Sequence, residues 1–251
     1  MAVCVHGLTR TGRDFDALAS HLLEEGWASA CPDIVGRGLS DWLSEASDYG
    51  LPQYVSDMVA LLARLDVEEV DWIGTSMGGL LGLLLAAQPG TPIRRLVLND
   101  VGPFVPSEAL DAIAGYLGHV GPWADIAEAE QVLRRVHSGF GPLDDDQWRH
   151  IAETSTRRSE DGQLRFHYDP SIAQAFTDPL QDIDLWPQWK RISRPTLVLR
   201  GEESSLLTAE TLRQMEKSGP QAESVTISGC GHAPSLMDRS QMEIISEWLG
   251  R

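Results

Sequence analysis

The chain has 251 residues, 42% of them hydrophobic, with 20 basic against 37 acidic side chains and a formal charge of −17. That length suits a single α/β unit with a sizeable core. The charge argues against nucleic acid or an anionic membrane surface as partner and disfavours strongly anionic substrates.

Met1-Ala2-Val3-Cys4-Val5 reads as a buried strand that delivers His6, Gly7 and Leu8 to a loop. A helix is expected near Phe15–Glu25 and a strand near Ala28–Pro32, followed by the loop Asp33-Ile34-Val35-Gly36-Arg37-Gly38-Leu39-Ser40-Asp41. Leu51–Leu65 has helical spacing, Val70–Ile73 is strand-like, and Ser76–Gln88 is apolar almost throughout, as a buried helix would be. A strand follows near Arg95–Leu98. Between Pro103 and Trp189 the strand signal fades. Ser107–Leu117, Ile126–His137 and Asp144–Thr156 have helical spacing there, separated by Gly-Pro pairs at 121–122 and 141–142. Alternation resumes with a strand at Thr196–Arg200, a helix near Ala209–Met215, a strand at Ser224–Ile227 and a closing helix over roughly Ser240–Leu249. The pattern implies a mainly parallel sheet flanked by helices on both faces.

Gly74-Thr75-Ser76-Met77-Gly78-Gly79 lies between a strand and a helix. A serine on such a turn is held in a strained backbone conformation with its hydroxyl raised above the sheet edge. Gly74 and Gly78 let strand and helix approach without a Cβ clash. Ser76 is therefore the candidate nucleophile. Its candidate base is His232, in the glycine-rich Ser228-Gly229-Cys230-Gly231-His232-Ala233-Pro234 loop near the chain end. The oxyanion formed on attack needs two preorganised donors, and position selects the Leu8 and Met77 amides. His6 reads as a structural residue that orients the Leu8 loop and borders the pocket. His119, His137, His150 and His167 read as polar helix or pocket-wall residues.

These four segments, His6-Gly7-Leu8, Asp33 to Asp41, Gly74 to Gly79 and Gly231-His232, resemble the α/β-hydrolase family in order and spacing. The resemblance implies an α/β-hydrolase core over 1–102 and 190–251 with an inserted helical cap over 103–189. Serine at 76, where dehalogenase and epoxide-hydrolase relatives carry Asp, implies acyl transfer to water. Members usually have two more strands before the one at Ala2–Val5. The start therefore reads as truncated or as a different start site, with the Ala28–Ile34 strand left at a sheet edge able to pair across a homodimer.

The family's usual acid position falls at Ser205, in the pair Ser204-Ser205, where a carboxylate is expected. Asp100, after Leu96-Val97-Leu98-Asn99, is the favoured substitute, ahead of Glu202 and Glu203. The insertion holds four of the eight tryptophans together with Phe104, Tyr116, Phe140, Phe166 and Phe176, which suggests an apolar pocket. Trp123, Trp148, Phe104 and, from the early loop, Trp42 are its candidate walls.

The reading is a serine hydrolase of small to medium carboxylic esters that needs no metal or organic cofactor. Alternatives are a lactonase, a carbon–carbon bond hydrolase, or an acyl-binding protein weakened at Ser205. Three cysteines (Cys4, Cys31, Cys230) without metal-ligand spacing favour reduced thiols and a cytoplasmic setting. No targeting segment is evident.

Overall fold

The computed structural model describes residues 1–176 and 179–251. Six strands form one sheet in the order β10-β9-β4-β3-β1-β2. They are β1 (Ala2–Val5), β2 (Ser29–Ala30), β3 (Val70–Thr75), β4 (Ile93–Asn99), β9 (Thr196–Gly201) and β10 (Glu223–Ile227), and every pairing is parallel. The expected strands are all present, and β2 forms the edge beside β1.

Successive side chains of a strand point to opposite faces, which divides the core in two. Ala2, Cys4, Ile73, Val97, Leu197 and Leu199 face α1 (Asp16–Glu24) and α9 (Arg239–Leu249). Their neighbours Val3, Val5, Trp72, Leu96, Leu98 and Val198 face the opposite way. That second face receives α2 (Leu51–Arg64), α3 (Met77–Ala86) and α8 (Ala209–Met215). Nine of the ten residues of α3 are buried, which is why its sequence is apolar all round.

Between β4 and β9 the chain forms α4 (Ser107–Ala114), α5 (Ile126–Val136), α6 (Asp145–Ser155) and the short α7 (Trp186–Trp189). Asp144 closes a reciprocal capping box with Gln147 at the start of α6, and Asp125 caps α5 through the Glu128 amide. The loss of strand signal expected here is corrected by two small antiparallel pairs. β5 (Phe104–Val105) pairs with β8 (Ile183–Asp184), and β6 (Thr156–Arg158) pairs with β7 (Leu164–Phe166). Strands of two or three residues are too short for an alternating pattern to register.

Because the sheet is parallel, the loops after β1, β3, β4, β9 and β10 all leave from the same edge. Residues as distant as His6, Ser76, Asp100, Ser204 and His232 are gathered there, in the crevice beyond the carboxyl ends of the strands.

Candidate active site

Ser76 occupies the turn between β3 and α3 with φ 52° and ψ −117°, a region that side chains with a Cβ rarely enter. Its N–H donates to the Asn99 carbonyl (3.0 Å), and its carbonyl accepts from the Gly79 and Leu80 amides (2.9 and 3.1 Å). Close packing enforces the turn. A Cβ on Gly78 would collide with the Val5 carbonyl, and one on Gly74 with the Gly78 carbonyl.

Ser76 Oγ lies 2.9 Å from His232 Nε2, and His232 Nδ1 lies 2.7 Å from Asp100 Oδ2. Asp100 is fully buried. Its Oδ1 accepts the Gly201 N–H (2.8 Å) and its Oδ2 also accepts the Ser204 hydroxyl (2.6 Å). A carboxylate in this cage fixes His232 with Nδ1 as donor, leaving Nε2 free to accept from Ser76. The residue facing His232 is thus Asp100 and not Ser205. Ser205 is exposed at the cavity rim, and the neighbouring Ser204 turns inward to bond the carboxylate. Glu202 and Glu203 are exposed.

The loop carrying His232 is held by Asn99 Nδ2, which donates to the Pro234 carbonyl (2.8 Å) and to Thr75 Oγ1 (3.0 Å). Asn99 therefore ties the Ser76 strand to the His232 loop. On the other side, Arg37 is completely buried and its Nε donates to the Leu8 carbonyl (2.8 Å). Tyr54 and Tyr49 stack against that guanidinium at 4.8 and 5.8 Å. His6 is fully buried too, with Nε2 accepting the Ile34 N–H (3.0 Å) and Nδ1 bonding the Gly7 carbonyl (2.7 Å). Burial, with Arg37's charge adding to it against the Gly7 hydrogen bond, pushes the His6 pKa down to about 4. A neutral ring is what both of its bonds require. Met77 is the first residue of α3, so its N–H has no helical acceptor. Among the described residues the Leu8 N–H is likewise unused. Arg37, Asn99 and Ser204 are the supports that residue-by-residue reading missed. Of the three, Arg37 has a local signal in the sequence, its flanking glycines Gly36 and Gly38.

Two cavities meet at Ser76. One, of about 260 Å³, holds His6, His232, Arg10, Tyr116, His137 and Phe140 on its walls. The other, of about 240 Å³, is almost wholly apolar, with Met77, Leu80, Val105, Ile172 and Phe176. Leu8, Ile113 and Leu206 border both.

Four expected wall residues lie elsewhere. Trp42 is 41% exposed and stacks under the Arg157 guanidinium at 4.3 Å, on the outer surface. Trp123 packs on Phe166, ring centroids 5.0 Å apart, and borders a separate shallow surface cavity beside the β6–β7 pair. Trp148 is buried behind Phe140, parallel to it at 6.3 Å, so Phe140 is the ring that meets the cavity. Phe104 points away from the lobe that Val105 lines, as alternation along β5 dictates. Aromatic content alone carries no information about which side of a helix or strand a ring occupies.

This geometry is that of an α/β hydrolase, and comparison with known proteins agrees. A family model described as alpha/beta hydrolase fold matches residues 3–238. The chain belongs to that family. It is 42% identical over 255 residues to a 3-hydroxybutyrate-oligomer hydrolase from Cupriavidus necator, covering 98% of this chain and 87% of that protein. It is 27% identical over 227 residues to a 2-(acetamidomethylene)succinate hydrolase from Mesorhizobium japonicum, covering 90% and 79%. A crystal structure of an α/β hydrolase from Novosphingobium aromaticivorans superposes with a TM-score of 0.88 at 38% identity, covering 99% of this chain and 88% of that one.

Among the described residues no helix is long and apolar enough to cross a membrane, and no cluster of ligating side chains could hold a metal ion. Cys4, Cys31 and Cys230 are free thiols.

Proposed function

We propose that this hydrolase cleaves small to medium carboxylic esters through an acyl-enzyme, with Ser76 as nucleophile, His232 as base and Asp100 as the acid. The observation that carries the reading is the unbroken chain of contacts from Ser76 Oγ through the His232 ring to Asp100 Oδ2, at 2.9 and 2.7 Å.

In the proposed reaction Ser76 Oγ attacks the ester carbonyl while His232 Nε2 takes its proton. The Leu8 and Met77 N–H groups receive the oxyanion, and Asp100 stabilises the imidazolium without itself taking a proton. His232 then protonates the departing alkoxide, which leaves as the alcohol. Water repeats the cycle on the acyl-enzyme and releases the acid. Strain at Ser76 serves this chemistry by holding Oγ in the crevice instead of against its own helix.

The two lobes suit the two halves of an ester, and similarity to a 3-hydroxybutyrate-oligomer hydrolase supports short hydroxyacid esters as the class. The acyl-binding alternative starts from a base without an acid, and the contact between His232 Nδ1 and Asp100 Oδ2 weighs against it. Lactone or carbon–carbon cleavage would use the same three side chains, so substrates must separate them.

The test is hydrolysis of p-nitrophenyl esters from acetate to octanoate, and of the linear 3-hydroxybutyrate dimer and trimer, with Ser76→Ala as background. Turnover well above background supports the reading, and equal rates in both proteins for every ester would overturn it.

A further inference from the structure

The larger lobe ends in a group of polar side chains that the chemistry at Ser76 does not use. Arg10 is 4% exposed and lines that lobe. Its Nε and Nη2 donate side-on to Asp14 at 2.8 and 2.7 Å, while Nη1 is buried with no acceptor among the described residues. A guanidinium offers five N–H donors, and a buried donor without an acceptor is costly, so a strut for Asp14 alone would not require leaving Nη1 bare. His137 and Tyr116 stand at the same end, with ring centroids 6.1 Å apart, and neither side chain makes a hydrogen bond among the described residues. Burial, with the nearby Arg10 charge adding to it, holds His137 neutral, as a hydrogen-bonding group and not a second cation. Among the described residues Arg10 is the one arginine or lysine lining either lobe.

We infer that Arg10 is a specificity-determining residue that anchors a carboxylate carried by the alcohol half of the ester, with His137 and Tyr116 as its neutral partners. The direction follows from the site. His232, which must protonate the leaving alkoxide, borders only the Arg10 lobe, whereas Met77 and Leu80 border only the apolar one. The leaving alcohol therefore lies toward Arg10 and the acyl chain toward Leu80. A hydroxyacid whose hydroxyl is esterified and whose carboxyl is free fits the lobe, so hydrolysis would release it from the carboxyl end of a short oligomer. The chain's net charge of −17 disfavours polyanions at long range, and Asp14, itself on the lobe wall, already takes two of Arg10's nitrogens, so the anchor is the remaining Nη1 donating to one oxygen of a single carboxylate.

The inference rests on the ester-hydrolase reading, and two measurements keep the two separable. The first is kcat/KM for the 3-hydroxybutyrate dimer as free acid and as methyl ester. A charge-assisted hydrogen bond predicts about a 10- to 100-fold preference for the acid in the unaltered enzyme, collapsing toward one in Arg10→Met and partly kept in Arg10→Lys. An unaltered enzyme indifferent to the methyl group, or a preference that survives Arg10→Met, would overturn it without touching the ester reading. The second is calorimetric binding of 3-hydroxybutyrate to Ser76→Ala with and without Arg10→Met, where at least tenfold weakening is expected. If no ester is turned over, the ester reading fails, and this titration alone decides the anchor: equal affinities would reduce Arg10 to a strut for Asp14.

Discussion

Replacing Asp100 with Asn tests the assignment of the acid with little disturbance to the backbone. Asp100 sits at φ 55°, a left-handed conformation that Asn tolerates as well as Asp, so the turn after β4 should persist. The side-chain consequences are unequal. The Asn oxygen can still accept from the Gly201 amide, leaving its NH₂ where Oδ2 now meets Ser204 Oγ and His232 Nδ1. The Ser204 hydroxyl can rotate to accept from it. His232 can do so only by moving its proton to Nε2, and that tautomer cannot take the Ser76 proton. In serine proteases the equivalent change lowers turnover about 10⁴-fold, which at ~1.4 kcal/mol per decade is roughly 5 kcal/mol of transition-state stabilisation. Folding should lose much less, about 1–2 kcal/mol, since the lattice of hydrogen bonds is largely re-formed. The assay is steady-state hydrolysis of p-nitrophenyl butyrate alongside thermal denaturation. A loss of three to four decades in kcat with a small drop in Tm is expected. Retention of more than a tenth of kcat in a folded protein would refute the argument.

Ser205→Asp should not raise turnover, because an exposed carboxylate at 205 finds His232 Nδ1 already bonded to Asp100; a gain above about threefold in the same ester assay would contradict this. Stability should fall as pH drops below about 6.5. Buried His6 titrates at about 4, so between those values the unfolded chain binds a proton that the folded chain does not. The 2.5-unit gap corresponds to roughly 3 kcal/mol at pH 4, on top of a contribution of the same sign from His137, and urea titrations at pH 7, 5.5 and 4 measure it. A flat profile for the unaltered protein, or an equally steep one in a folded His6→Gln variant, would contradict the assignment to His6. Gly78→Ala forces a Cβ into the Val5 carbonyl, so β1 or α3 must shift. We expect a loss of roughly 1–3 kcal/mol by denaturant titration, with kcat falling further than stability because Ser76 rides on the displaced turn.

Much of this molecule is written locally. The strands at Ala2–Val5 and Thr196–Gly201 and the helix at Met77–Ala86 are marked by continuous apolar runs, short for the strands and longer for the helix, and the helix at Leu51–Arg64 by apolar residues at helical spacing. The Ser76 turn is legible for the same reason, since its glycines, strand and helix are consecutive in the chain. The order of Ser76 and His232 along the chain is legible as well. Which acid faces His232 is not a local property. Asp100 and Ser204 lie on loops after two strands, β4 and β9, that are neighbours only in the folded sheet, and pairing those strands is what brings the Gly201 amide and the Ser204 hydroxyl onto one carboxylate. The pocket walls are decided the same way. Trp42, Trp123 and Trp148 have the composition of a binding site, yet the side each ring takes depends on what its element packs against. Arg10 looks like one more surface charge in the sequence; only the fold closes over it, pairs two of its nitrogens with Asp14 and leaves the third without an acceptor beside the lobe that meets Ser76.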